Sequence, residues 1–414
     1  MKNSDQPDLI ISGLGVTTPI GQGAAEVTRA MLNGNHEFSV MNREGRQYAT
    51  ASNEQSAFLG AEITDLCLPE SLPAKHLRTA SWSSTVALAT LHEAWQDADL
   101  SSLEGHRIGL IVGGSNFQQR EIALVQNKFA GREAFLRPAY AMNFMDSDTC
   151  ALCSEVFGIK GFAYTLGGAS ASGQIAIIQA AQAVQSGQVD ACIVVGALMD
   201  LSYWECQGFT AAGAMGSLQF AAQAELAARP FDRQRDGFIF GENCGAIVIE
   251  RSDQVNRLAK DPYARISGWG FCLDGNRNPN PSSEGQITAI NQALEHAQWN
   301  RQQVDYINPH ATGSPLGDET ELSTIRHCGL NEAWINTSKS LIGHGLSSAG
   351  TVECILTLLQ MKAKALHPCR NLEEPICEVC HFVPAKSEDH TIKHALTLSF
   401  GFGGVNSALC LARV

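Results

Sequence analysis

The alternation of short apolar runs with longer helical patterns predicts an α/β fold. Runs rich in β-formers fall at 9–12, 108–112, 191–195, 245–249, 304–307 and 396–399, and helical patterns at 81–98, 172–186 and 350–365. Composition agrees: of 414 residues, 44% are hydrophobic and only 17% charged, the balance expected of a compact chain with much buried surface. A weak internal echo adds a third observation. Ile10-Ile11-Ser12-Gly13-Leu14-Gly15 opens one half and Arg265-Ile266-Ser267-Gly268-Trp269-Gly270 another. Each half later carries a reactive-looking residue, Ser170 or His344, just before a long helix of small and apolar residues.

The first strand follows a polar start, Met1-Lys2-Asn3-Ser4-Asp5-Gln6, which does not read as an export signal. The helix after Ser170 carries Ala171, Ser172, Gly173, Ala176, Ala180 and Ala181, small residues that let a central helix pack closely on several sides, and Gly187 offers it a C-cap. The 38 glycines are scattered and not clustered with proline, so they predict tight turns rather than disorder. No apolar run is long enough for a bilayer, so no membrane is expected. A net charge of −13 argues against nucleic acid. The 13 cysteines, an odd number set singly in apolar segments, predict buried reduced thiols and a cytoplasmic location. Cys377, Cys380 and His381 formally match a haem-attachment sequence, but core or loop cysteines are the expectation. His327 and Cys328 read as a helix-end pair rather than as ligands, and no metal is expected.

Four segments carry the chemistry. Tyr164-Thr165-Leu166-Gly167-Gly168-Ala169-Ser170 leads into the helical stretch, placing Ser170 at a helix N-terminus, where free N–H groups favour negative charge. A bare N-cap is the alternative for Ser170. Asn308-Pro309-His310-Ala311-Thr312-Gly313-Ser314-Pro315-Leu316-Gly317-Asp318, with Glu321 beyond it, follows a strand and sets His310 at the strand's carboxyl end. Asn336-Thr337-Ser338-Lys339-Ser340-Leu341-Ile342-Gly343-His344-Gly345 spaces Lys339 five residues before His344. Ser399-Phe400-Gly401-Phe402-Gly403-Gly404 is a glycine-rich loop suited to close approach.

Together these segments, with Pro230-Phe231-Asp232 through Arg235-Asp236-Gly237-Phe238 to Glu242, resemble the β-ketoacyl-acyl-carrier-protein synthases, the condensing enzymes of fatty-acid and polyketide assembly. The resemblance runs from about Leu9 to the C-terminus. It implies the five-layered αβαβα thiolase-like fold of two duplicated halves, 1–250 and 251–414, with the break near 250–264. In the family the position of Ser170 is normally the acyl-accepting cysteine. His310 and His344 then match the catalytic histidines, Lys339 the lysine of their network, and Asp318 and Glu321 acidic residues that brace the site. Phe400, Phe402 and Gly403 match the gating loop; Phe402 would cover the nucleophile, and its N–H would join that of residue 170 in an oxyanion hole. Segments 139–144 and 196–209 are expected to line the pocket.

Losing the cysteine while keeping both histidines implies loss of condensation and retention of decarboxylation, whose enolate needs N–H donors and no thiolate. Such chains are similar to the decarboxylases of polyketide β-branching cassettes, which turn malonyl- into acetyl-acyl-carrier protein. The expected partners are an acyl carrier protein and a second copy of the chain, with no cofactor beyond the phosphopantetheine arm on the carrier. The negative charge makes an acidic carrier an awkward partner without a local basic patch. Two alternatives stand: an acylated Ser170 with a histidine base, and a non-catalytic partner subunit, although chain-length-factor subunits typically lose the histidines too.

Overall fold

The computed structural model describes residues 7–48, 57–254 and 260–414. Five strands, β1 (Leu9–Thr18), β2 (Ile108–Gly113), β3 (Phe162–Leu166), β4 (Ala191–Gly196) and β5 (Cys244–Arg251), form a sheet in the order β3-β2-β4-β5-β1. Six more, β6 (Ala264–Leu273), β7 (Tyr306–Asn308), β8 (Trp334–Ile335), β9 (His381–Phe382), β10 (His394–Gly401) and β11 (Val405–Ala412), follow as β9-β8-β7-β10-β11-β6. Apart from the added edge strand β9, the second order repeats the first. The pairings repeat as well: β2 and β7 run parallel to both neighbours, and the two pairings beyond each are antiparallel. The two sheets meet where Leu9–Ile11 pairs antiparallel with Ala264–Ile266. The echo in the sequence falls on β1 and β6, the equivalent strands of the two halves.

Helices α1 (Trp82–Asp97) and α2 (Ser147–Phe157) cover the outer face of the first sheet; α4 (Ser283–Ala297) and α5 (Pro315–His327) cover that of the second. Between the sheets lie α3 (Ser172–Gln185) and α6 (Ala349–Ala363), packed against each other. This is the five-layered thiolase-like architecture. Its strands are apolar on both faces because each face meets helices. In β2, Ile111 points to the central layer while Leu110 and Val112 point to the outer one; in β4, Cys192 and Val194 alternate with Ile193 and Val195 in the same way.

The predicted helices appear within two residues of their expected ends. Ser81 caps α1 by accepting from Ser84 N–H. Helix α3 closes with Gly187 N–H on Val184 O and Gln188 N–H on Ala183 O, a Schellman arrangement that requires the positive φ of Gly187 (76°). Strands β8, β9 and β11 lie outside the expected β-runs, and two further details differ from the sequence reading. Strand β1 extends to Thr18 through Gly13 and Gly15, which are glycines because α1 crosses there: a Cβ on Gly13 would lie 2.6 Å from that of Ala98. Strand β3 was not anticipated, because its Ala-Tyr-Thr centre is partly exposed and lacks the apolar run of its neighbours.

The central helices approach at their N-termini through glycine. A Cβ on Gly173 would stand 2.6 Å from Thr351 Oγ1 and 2.7 Å from its backbone nitrogen, and one on Gly350 would stand 2.7 Å from Gln174 N. Overpacking of this kind costs about 1–3 kcal/mol. Gly173→Val is expected to lower unfolding free energy by about that amount and to cut activity more than stability, measured by denaturant melts and turnover assays side by side.

Candidate active site

Strand β3 delivers the chain to a 3₁₀ turn, Ala169–Ala171, immediately before α3, with Ala169 at φ 49°. No side chain caps the turn or α3; Ser172 Oγ instead ties the turn together, accepting from Gly168 N–H at 2.8 Å and donating to Ala169 O at 2.6 Å. Ser170 is therefore not the N-cap. Its Oγ lies 3.0 Å from His344 Nε2, and Ser399 Oγ donates to its carbonyl at 3.2 Å.

His344 reaches this point from the other half of the chain. Gly343 turns the backbone at φ 73°, and His344 is then stitched to the segment 239–241 by its N–H to Ile239 O (2.7 Å) and by Gly241 N–H to its carbonyl (3.1 Å). Leu346, itself at φ 55°, donates its N–H to His344 Nδ1 at 3.3 Å. An Nδ1 that accepts leaves the ring proton on Nε2. His344 thus presents a donor to Ser170 Oγ. Phe238 packs edge-on to the ring at 5.3 Å.

His310 sits just past β7. The Glu321 carboxylate on α5 accepts from the N–H groups of His310 (2.6 Å) and Ala311 (2.7 Å). Asp318, one turn earlier, accepts from Gly313 N–H at 3.1 Å and Phe231 N–H at 2.7 Å. Both carboxylates therefore brace the histidine loop. The two imidazoles stand 5.4 Å apart and nearly perpendicular, and Phe400 packs edge-on to His310 at 5.7 Å.

Lys339 is buried and donates to the carbonyl of His310 and to a Glu353 oxygen, so it fixes the His310 backbone rather than touching its ring. Glu353, on α6, also accepts from Ser338 Oγ at 3.2 Å. Sequence reasoning missed this residue. The available signal was a single acidic side chain in an otherwise apolar helix.

Burial, with the Lys339 charge nearby, holds both imidazoles well below the usual histidine value; for His310 the neighbouring His344 adds to this. Both are neutral N–H donors at neutral pH. Burial pushes Glu353 up against the pull of Lys339, and raises Asp318 to about 6 and Glu321 to about 8 against their backbone amides.

Ser170, His310 and His344 face one cavity of about 500 Å³, lined also by Phe400 and Phe402 together with Met199, Phe209 and Phe238. Phe402 is 45% exposed at its edge, with its ring 6.5 Å from that of Phe209. The glycine-rich loop 400–404 lies directly on the serine turn: a Cβ on Gly401 would meet Gly168 O at 2.5 Å, and Gly403 takes φ 88°. Thr312, Ser314 and Leu316 also line the cavity, as do Ser115 and Asn116. One expectation is corrected. Segment 139–144 does not line the cavity of this chain; Tyr140–Asn143 is a short surface helix with Met142 and Phe144 exposed, because the segment folds away over α2. Of segment 196–209, Met199 and Phe209 line it.

Cys377 and Cys380 face each other with Sγ atoms 2.9 Å apart, while the His381 ring is stacked on Trp334 at 3.6 Å and turned away from them. Cys328 forms the C-cap of α5 beside His327. Among the described residues no three His, Cys, Asp or Glu side chains group as metal ligands.

Burial also holds His367 at about 4. Folded His367 stays neutral where the unfolded chain, with its pKa of 6.5, takes a proton, so its contribution is present above that pH and is lost as the pH falls toward 4. At 1.36 kcal/mol per pKa unit the loss approaches about 3 kcal/mol. The unfolding free energy of wild type is expected to fall relative to His367→Gln between pH 7 and 4, followed by urea melts; parallel curves would contradict this.

Comparison with known proteins follows the geometry. The beta-ketoacyl synthase N-terminal domain family matches residues 6–255 and the C-terminal domain family residues 263–373. The chain is 53% identical over its full length to the polyketide biosynthesis malonyl-ACP decarboxylase PksF of Bacillus subtilis, covering 98% of that protein. A β-ketoacyl synthase structure from Burkholderia phymatum superposes with a TM-score of 0.87 at 24% identity, over 99% of this chain and 100% of that one. A ketosynthase solved in complex with its type II polyketide acyl-carrier protein superposes at 0.83 and 22% identity, over the same shares. With its sheets, histidine loops and gating loop arranged in this way, the chain belongs to the β-ketoacyl synthase family.

Proposed function

We propose that this chain is a malonyl-acyl-carrier-protein decarboxylase that supplies acetyl-carrier protein for β-branching in polyketide biosynthesis, acting in the cytoplasm. The observation that carries the reading is the pairing of an unionised Ser170 with two neutral, cavity-facing histidines. The likeness to PksF supports it. The malonyl thioester oxygen would lie between His310 and His344. As the bond from C2 to the carboxylate breaks, its electron pair passes into the C1–C2 bond and charge collects on that oxygen, where N–H donors stabilise it. Carbon dioxide leaves and the enolate takes a proton. Lys339, Glu353, Asp318 and Glu321 act by fixing the His310 loop. In the family the N–H at the position of Phe402 joins that of the nucleophile in an oxyanion hole, which in this scheme has no acyl-enzyme to serve.

Acylation of Ser170 is disfavoured by the same geometry. His344 offers Ser170 a proton rather than a base, and a serine hydroxyl without a base is a poor nucleophile. The chain needs no cofactor of its own in this scheme. The phosphopantetheine arm of the carrier protein would enter past Thr312 and Ser314, and Arg277 beside Phe402 offers a positive charge at the mouth despite the net negative charge. A neighbour of the same fold holding its acyl-carrier protein is consistent with this partner.

The second copy would sit on β3. Among the described residues this edge strand pairs on one side only; it bears no charge and exposes Tyr164, and Phe135, Met142, Phe144 and Met145 are exposed apolar side chains as well. An unguarded edge of this kind invites another strand.

Two outcomes are expected. Mass spectrometry of malonyl-carrier protein incubated with the enzyme should show conversion to acetyl-carrier protein, slowed about 10²–10³-fold by His310→Ala; acyl mass on Ser170, or no conversion, would sink the decarboxylase reading. Light scattering should report a dimer that Tyr164→Lys converts to monomer, and an unchanged mass would remove β3 from the interface.

A further inference from the structure

We infer that Ser170 is the acid that protonates the acetyl enolate, a catalytic role that rests on the decarboxylase reading above. A serine hydroxyl offers one proton and two lone pairs. One lone pair of Ser170 Oγ faces the Nε2–H of His344 at 3.0 Å, because Leu346 N–H already occupies Nδ1. No other hydrogen bond engages Oγ among the described residues, so its own proton is free to turn into the cavity. The single His344 Nε2–H would be shared, as a three-centre bond, between Ser170 Oγ and the enolate oxygen, so C2, one bond beyond C1, lies beside an oxygen that faces the same nitrogen.

The exchange of sulfur for oxygen then has a chemical purpose. The helix N-terminus that turns a thiol into a proton-free thiolate leaves the far less acidic hydroxyl protonated. A thiolate here would be a nucleophile with no proton to give, and a negative charge beside the malonyl carboxylate. Serine is neutral and carries the missing proton. The step balances: the enolate pair forms a C2–H bond with the Ser170 proton, the thioester C=O is restored, and the O–H pair remains on Oγ as an alkoxide. His344 N–H stabilises that alkoxide until a water molecule reprotonates it, leaving hydroxide, which neutralises the proton balance of the reaction as carbon dioxide is hydrated.

The test follows malonyl-carrier protein bearing one deuterium at C2 in a defined configuration, turned over in tritiated water, with carbon dioxide release and the configuration of the acetyl methyl group both read. Wild type should give one configuration. In Ser170→Ala the acetyl methyl that forms should lose configurational purity, and Ser170→Thr, which restores a hydroxyl, should recover it. Retention of the same configuration in Ser170→Ala would overturn the assignment, since another group would then deliver the proton. Loss of carbon dioxide release in Ser170→Ala would overturn it too, by moving Ser170 into the bond-breaking step. Absence of carbon dioxide release from wild type removes the decarboxylase reading itself, and is distinguished from the other two outcomes by that alone.

Discussion

The close approach of α3 and α6 at Gly173, Gly350 and Thr351 is the constraint from which the site follows. Each helix is preceded by the reactive residue of its own half, Ser170 or His344, so bringing the helix N-termini together brings those residues within hydrogen-bond distance across 174 positions of sequence. Bulkier residues at the crossing would separate the helices and the two side chains together. The all-round burial of both helices between two sheets removes the alternative of relaxing outward.

Around that contact the electrostatics are arranged by burial and by backbone, not by charged side chains pointing into the cavity. Lys339 and Glu353 pair behind His310, and the two carboxylates of α5 hold the histidine loop by its amides. What faces the substrate is neutral: two imidazole N–H groups and a hydroxyl. A neutral, preorganised donor set stabilises charge that develops during reaction without first binding an anion of its own. This suits a reaction whose substrate arrives as a carboxylate and whose intermediate is an enolate.

The central helices were legible because their small residues leave few other uses for them, and the four motif segments because their residue types and spacings are specific. Glu353 was not legible. An acidic residue in an apolar helix signals a buried partner without naming it, and Lys339 lies outside that helix, brought to it by the fold. Strand β3 was hidden by partial exposure, and the surface position of Tyr140–Asn143 by the absence of any local signal separating a surface helix from a pocket wall.

The sequence by itself determined the α/β class and the internal repeat, and singled out Ser170, His310, Lys339 and His344 as the candidate site, since these rest on residue type and local spacing. Only the tertiary structure decided what those residues do to one another. The proton on His344 Nε2 depends on a backbone N–H two residues away held at a positive φ, and the direction of Ser170 Oγ toward His344 depends on a 3₁₀ turn that Ser172 ties to Gly168 and Ala169. Both are facts of backbone conformation, which side-chain identity constrains but does not specify.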